Sequence, residues 1–566
     1  MNPTTPNTEP KPSTQRRKAV AGSSLKIVLT GLLLAVAMEA PVLAQTIKTV
    51  DDGTVLKQII IFGRHSIRSA TVDTTNLNQF SANPSPGFPG VPVGYLTPNG
   101  RVAAGLMGTY FHDYLAHEGV LTGNTNTDLA RSYFRANTIE RSYITAAKFG
   151  AALISGAVIP GASVPVHTFG ANKPDLVIDP LLAGVATVDP ARALAEVQGV
   201  FGNGTDLSSA YSDELSQISK VLYPPGTQPL YPGTSPTNSA PPAPQGSFDP
   251  TTVPILLTTN APQYSPNYVT GEVLSIGVLA LTMEAIDPFV MQYADGFPTN
   301  EVGWGRLTLD TLSQLTRLIT LQFSIAMRPP YLARVQSSSA ASHILRSMLQ
   351  ITGGVPLDGA FGTNQPQVLV IISSDAYLAG LAGLLDMHWL LPGYQPDFCA
   401  PGGALVFELR QVRATGQYIV RVFYTAQTFD QLRNLTALSL TNPPATMQLL
   451  IPGGTNYATN LDVSFISFSN LLSKAIGPEY VQPFDQETPP GVLDPYDPTN
   501  VTVSVSGKTL TISWPADHLG WILQAQTNGL STGQWVPLPG TGDTNLVAIP
   551  IDPANPAVFY RLSQQP

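Results

Sequence analysis

Arg64-His65-Ser66-Ile67-Arg68 sets an imidazole between two guanidiniums. Both arginines are permanently charged, and each forks onto the oxygens of a phosphate. The segment closes a short apolar run through Leu56, Ile59, Ile60, Ile61 and Phe62, the pattern of a parallel strand buried on both faces. Two fixed positive charges at the tip of such a strand are costly unless an anion sits between them. The spacing therefore points to a phosphate site; an exposed basic turn is the plainer alternative.

The elements that must position this segment repeat a theme. A Pro/Gly-rich loop from Asn83 to Gly100 leads into helical spacing over Val102 to Leu115. Ser132 to Arg135 reads as a strand, followed by Asn137-Thr138 and a helix over Ile139 to Leu153. Val368 to Ile372 is a further buried strand, followed by Ser373-Ser374-Asp375 and an apolar helix to Leu385. Strand, loop and helix in alternation predict an α/β sheet whose ligand lies beyond the carboxyl ends of the strands. Helical text over Gly271 to Ala294 and Leu307 to Ile325, broken by a proline-rich stretch from Tyr223 to Pro266, predicts a mostly helical cap inserted in that sheet domain. After Pro489 a proline-rich linker gives way to alternating Val501, Val503 and Val505, a turn at Ser506-Gly507-Lys508, and Leu510, Ile512 and Trp514, a β-hairpin. Strands follow at Trp521 to Ala525, Leu546 to Ile549 and Val558 to Leu562. The expected organisation is a leader over 1–44, an α/β core over 50–150 and 326–488 with helices on both faces, a cap over 151–325, a linker over 489–500 and a small sandwich-like β module over 501–566.

Composition narrows the function classes. The chain has 566 residues, of which 43% are hydrophobic and only 12% charged, about half the usual charged share. A net charge of −9 with no basic run beyond the N-terminus argues against nucleic acid as a partner. Arg16, Arg17, Lys18 and Lys26 precede an apolar run from Ile27 to Met38, and Val42-Leu43-Ala44 supplies a cleavage site before Gln45. That run is too short to span a membrane, so the leader reads as an export signal, with no membrane span left after cleavage and a periplasmic or extracellular destination. Arg16-Arg17 resembles a twin-arginine signal but lacks the hydrophobic residues after the pair. Cys399 is the one cysteine, which excludes an intrachain disulfide, and the seven histidines include no H-E-x-x-H. Neither a metal nor another cofactor is expected.

The first segment resembles the R-H-G-x-R-x-P signature of the histidine acid phosphatases, and further matches follow in order. Tyr95-Leu96-Thr97-Pro98-Asn99-Gly100 resembles that family's L-T-P-x-G, and Arg141 falls where the family keeps a third phosphate-binding arginine, in a first helical turn that adds its own anion attraction. Gln292 to Pro298 with Gly303-Trp304-Gly305-Arg306, and Leu391-Pro392-Gly393 with Pro401 to Glu408, resemble stretches of the periplasmic phytases and glucose-1-phosphatases. The resemblance spans Val55 to Ile476. It implies an acid phosphomonoesterase acting on a small phosphorylated substrate. His65 would be the nucleophile that forms a phosphohistidine. Arg64, Arg68 and Arg141 would hold the phosphoryl oxygens, with Thr71 and Ser374 as hydroxyl contacts. Asp375 would protonate the leaving oxygen, a nearby anion raising its pKa.

The departures bear on activity. The family's His-Asp motif reads Ser374-Asp375-Ala376-Tyr377 here, which keeps the proton donor and loses its histidine neighbour. By analogy with deleting one oxyanion donor, the loss is about 3 kcal/mol. A pseudophosphatase that binds phosphorylated ligands without turnover is the second reading. Ser66 replaces the signature glycine and Ala70 the proline, and Tyr377 would narrow the pocket or stack on a substrate. Gly529-Leu530-Ser531-Thr532-Gly533 fits the serine-hydrolase pattern without a strand-to-helix elbow, and Ser506-Gly507-Lys508-Thr509 fits a hairpin turn better than a P-loop. His343 and His388 read as packed structural histidines. Trp514, Trp521, Trp535 and Tyr560 read as the core of the β module, with binding of a surface or carbohydrate as the alternative use of exposed aromatics.

Overall fold

The apolar run at Leu56 to Phe62 forms β1, Thr54–Arg64, and its side chains divide by parity. Ile59 and Ile61 join one core cluster and Ile60 and Phe62 another. Every second residue faces a different hydrophobic layer, so the strand carries no polar face and its sequence no alternation. The structure, a computed structural model, describes residues 51–566 apart from 73–80, 170–172, 203–206, 208, 223–263, 267–272, 276–277, 363, 455–459, 483–487, 492–500, 515–520, 528–534, 542–543, 545, 556 and 565–566. The leader, most of the proline-rich stretch, linker residues 492–500 and Gly529 to Gly533 lie outside the described residues.

After β1 come α1 (Pro98–His117), α2 (Thr125–Ala130), β2 (Ser132–Ala136), α3 (Glu140–Ser155) and β3 (Val166–Thr168). The next stretch holds α4 (Pro190–Phe201), α5 (Ser212–Leu222), paired strands β4 (Tyr264–Pro266) and β5 (Val273–Ser275), α6 (Val278–Ala294), α7 (Leu309–Ala326) and α8 (Pro330–Gly353). Then follow β6 (Val368–Ser373), α9 (Asp375–Leu384), β7 (Ala404–Val412), β8 (Tyr418–Ala426), α10 (Phe429–Arg433), β9 (Ala445–Gln448), β10 (Val463–Ser464), α11 (Phe465–Ala475) and β11 (Thr488–Gly491).

The main sheet runs β10-β8-β7-β1-β6-β2-β3-β11, with β9 also on β8. β1, β6, β2 and β3 are mutually parallel, and β7 and β8 add antiparallel pairs. Helices cover both faces. Val368, Val370 and Ile372 of β6 pack with α1 and α3, while Leu369 and Ile371 pack with α6 to α9. Each fully buried Val, Leu or Ile stabilises by roughly 1.5–3 kcal/mol. In register, Arg64 lies beside Ser373 and Ala136 beside Ile372. The tips of β1, β6 and β2 thus end together at one sheet edge, which is where the fold places its chemistry.

Two details differ from the sequence reading. The text from Gly271 is not helical throughout: Val273–Ser275 pairs as a strand with Tyr264–Pro266, and helix begins at Val278. His343, read as a packed histidine, sits in the long helix α8, whose Ser337, Ser338 and Ser339 are buried as well. Ser338 returns its hydroxyl to the Arg334 carbonyl at 2.5 Å, which satisfies a polar group that hides the apolar period. His388 is not packed: its ring is exposed and held between Asp397 at 2.6 Å and Asp386 at 3.2 Å. Two carboxylates on flanking turns draw it out of the core. His343, by contrast, is buried and bonded to the Ser339 carbonyl at 2.9 Å.

After the linker, β12 (Thr502–Ser506), β13 (Thr509–Ser513), β14 (Trp521–Gln526), β15 (Val536–Pro537), β16 (Leu546–Pro550) and β17 (Phe559–Gln564) form two three-stranded sheets, β12-β13-β16 and β15-β14-β17. Ser506 to Thr509 is the β12–β13 turn, with Gly507 at φ 61°. Trp514 is buried with Ile512 and Leu523, whereas Trp535 is half-buried beneath Arg561. Among the described residues no helix is long and apolar enough to cross a membrane.

Candidate active site

The end of β1 delivers Arg64 and His65 to the sheet edge as buried side chains. His65 Nδ1 lies 2.9 Å from the Ser66 carbonyl. A carbonyl can only accept, so this contact puts the ring proton on Nδ1 and leaves Nε2 with its lone pair. Burial, then Arg141, Arg64 and Arg68, hold the imidazole well below its ordinary pKa. The site therefore favours the neutral form of the ring.

Each guanidinium has its own anchor. Arg64 Nη1 donates to the Cys399 carbonyl at 2.6 Å, and Nη2 pairs with Asp375 Oδ2 at 2.9 Å and Asp287 Oδ1 at 3.4 Å. Arg68 Nη1 donates to the Ser69 carbonyl at 3.0 Å and to Asp287 Oδ2 at 2.8 Å. Arg141, in the first turn of α3, donates to the Gly94 carbonyl at 3.2 Å. Burial and then Arg68 pull Arg141 down to about 10, still charged at any acid or neutral pH. Burial alone would lower Arg64, but Asp375 and then Asp287 outweigh it and raise it. Asp287 is held low by Arg68 and Arg64 against the opposing effect of burial. Arg64, Arg68 and Arg141 each keep a buried Nε–H with no hydrogen-bond partner among the described residues. Such donors are unfavourable unless an acceptor arrives.

Asp375 opens α9 directly after β6, and its carboxyl lies on Arg64. Ser374, the N-cap residue of that helix, makes no side-chain capping bond. Ser66 is buried with its hydroxyl unpaired. Thr71 is exposed at the far end of the segment, with no side-chain bond described. The structure therefore brings Arg64, His65, Arg68, Arg141, Ser374 and Asp375 together, with Thr71 at the margin.

Two contributors escape sequence reasoning. Asp287 clamps Arg64 to Arg68 from α6, more than two hundred residues along the chain, and no local motif announces it. Asp179, in the loop after β3, accepts hydrogen bonds from Tyr377 and from Asn137. Among the described residues no cluster of His, Cys, Asp and Glu is placed to hold a metal ion.

The site is thus a buried imidazole ringed by guanidiniums, with a carboxyl at the start of the helix that follows β6, at the carboxyl ends of the strands of an α/β sheet. No family model matches the chain. It is 28% identical to phytase AppA of Escherichia coli (strain K12) over 425 residues, covering 74% of this chain and 92% of that protein. It is 25% identical to a glucose-1-phosphatase of Providencia rettgeri over 432 residues, covering 74% and 92%. A solved structure of Hafnia alvei phytase in complex with tartrate superposes with a TM-score of 0.64 at 26% identity, covering 77% of this chain and all of that one. Its homologues are thus phytases and glucose-1-phosphatases of the histidine acid phosphatase family.

Proposed function

We propose that the protein is an exported, acid-favouring phosphomonoesterase that works through a phosphohistidine on His65. The observation that carries this reading is the set of unpaired Nε–H donors on Arg64, Arg68 and Arg141 around an imidazole whose Nε2 is free. A phosphate monoester supplies the acceptors those donors lack. Nε2 attacks phosphorus in line, the arginines hold the equatorial oxygens, and protonated Asp375 gives its proton to the leaving oxygen as the P–O bond breaks. Water then attacks the phosphohistidine with Asp375 taking a proton, which restores the imidazole and releases phosphate. The relatives' names include phytase and glucose-1-phosphatase. Lys and Arg are sparse between Gly150 and Asn300, which favours a singly phosphorylated sugar or general monoester over a highly charged one.

The second reading, a pseudophosphatase, rests on Ser374. Its hydroxyl brings no charge to the site. Phosphate release from p-nitrophenyl phosphate between pH 3 and 8, with EDTA present, separates the two. Turnover that is highest in acid, survives EDTA and vanishes in a folded His65→Ala variant supports the enzyme. Undiminished turnover in that variant removes His65 from the mechanism, and a folded wild type without turnover favours the binding protein.

A further inference from the structure

A buried polar ladder runs from the floor of the sheet edge to the helix that carries Asp375. Arg135, the fourth residue of β2, is fully buried and pairs through Nη2 with Asp175 Oδ2 at 2.8 Å. The other oxygen of Asp175 accepts from the Val177 and Ile178 amides at 2.8 and 2.9 Å. One residue further up the ladder, Asp179 is only 4% exposed. It accepts from the Asp175 amide at 3.1 Å, from Asn137 Nδ2 at 3.4 Å and from the Tyr377 hydroxyl. The single guanidinium at this place is already committed to Asp175. A second buried carboxyl beside it is costly, since its hydrogen bonds satisfy its lone pairs but do not neutralise a charge.

What Asp179 holds gives that cost a use. Asn137 follows β2 directly, four residues before Arg141, and its amide donates to the Ile372 carbonyl at the end of β6. Tyr377 is the third residue of α9, two after Asp375. Asp179 therefore joins the arm that carries a phosphate-binding arginine to the arm that carries the carboxyl. Resting on the phosphomonoesterase reading above, we propose that Asp179 is a positioning residue, which through the Tyr377 hydroxyl fixes the first turn of α9 and so the aim of Asp375 at the leaving oxygen.

A misaimed proton donor has a signature that general loosening lacks. A nitrophenolate departs without much protonation, whereas an alkoxide needs its proton as the bond breaks. In Tyr377→Phe, which keeps the ring and removes only the hydroxyl, kcat on glycerol 2-phosphate is expected to fall about 10-fold or more, while kcat on p-nitrophenyl phosphate falls less than about 3-fold. KM for both and inhibition by inorganic phosphate stay as in the wild type. Asp179→Asn shows the same selectivity, and adds nothing further in the Tyr377→Phe background, because it acts through that hydroxyl. Asp375→Asn gives the same pattern, larger. Equal losses on the two substrates, a change confined to KM, additive effects of the two variants, or a lowered Tm with rates intact would each overturn the proposal while leaving the phosphatase reading standing. A folded wild type that turns over neither substrate would overturn that reading, and this one with it.

Discussion

At the scale of single residues, the site is a balance of three guanidiniums against two carboxylates, Asp287 and Asp375, around one neutral imidazole. Ser374 is where the balance is thinnest. It caps α9 in extended geometry, φ −105° and ψ 169°, without spending its hydroxyl on the helix end. An imidazole at that position would add a charged donor beside the oxygens that the arginines are proposed to hold. Ser374→His is therefore expected to raise kcat on p-nitrophenyl phosphate by roughly one to two orders of magnitude at pH 4 to 5, the scale of one oxyanion donor. Steady-state kinetics would check it; an unchanged or lower kcat would mean that the serine is already matched to its surroundings. Residues of this kind are legible in sequence when they sit in a local motif, as Arg64, His65 and Arg68 do. Asp287 and Asp179 are not, because each acts through contacts made across long loops, and a lone aspartate in apolar or loop text carries no sign of its partner.

At the scale of elements, β1 and β6 are legible because burial on both faces leaves Ile59 to Phe62 and Val368 to Ile372 as unbroken apolar text, whereas α1 begins at Pro98, inside the stretch read as a loop. Thr97 caps the helix by accepting from the Gly100 amide at 2.9 Å, with proline in the first turn. α8 is legible only in part, because buried serines such as Ser338 and Ser347, each donating to a carbonyl one turn back, mimic a surface. The start of α1 also shows why one glycine is required. A Cβ on Gly100 would lie 2.1 Å from the Ile67 carbonyl oxygen, and Ile67 connects the His65 end of the segment to Arg68. The backbone there has nowhere to go, since the Thr97 amide already bonds that same carbonyl at 3.0 Å. Gly100→Ala is expected to destabilise by about 1–3 kcal/mol, as overpacking does, and to weaken inhibition by inorganic phosphate as Arg68 shifts. A urea titration together with a phosphate inhibition constant would test both; a lowered stability with unaltered phosphate affinity would separate the helix contact from the site.

At the scale of the whole molecule, the buried carboxyls predict how stability depends on pH. Burial, with Asp175 adding like charge, pushes Asp179 up to about 6 against the hydrogen bonds from Tyr377 and Asn137, with Arg135 bound to Asp175 beyond. Burial also pushes Asp295 up to about 6, although Thr97 donates to it at 2.5 Å. Both groups bind their proton more tightly when folded than when unfolded, where an aspartate titrates near 3.9. Their contribution is therefore fully present below about pH 4 and is lost as pH rises towards 6, at up to about 1.4 kcal/mol per pH unit for each group. Asp52 works in the opposite sense. Despite burial, hydrogen bonds from Thr54 and Arg421 hold it down at about 2, so its contribution is present above about pH 4 and lost as pH falls through 2. The two windows meet near pH 4; His65, held well below its ordinary value, gains stability as pH rises towards 6.5 and so offsets one of the two raised carboxyls, which leaves the fold most stable near pH 4 with a shallower fall above it. Urea unfolding midpoints between pH 3 and 8 should peak there and fall towards neutrality. In Asp179→Asn/Asp295→Asn the decline between pH 4 and 6 should largely vanish, because neither amide titrates. The same slope between pH 4 and 6 in the wild type and in that double variant would show that these carboxyls are ionised in the folded protein at acid pH, since His65 contributes equally to both.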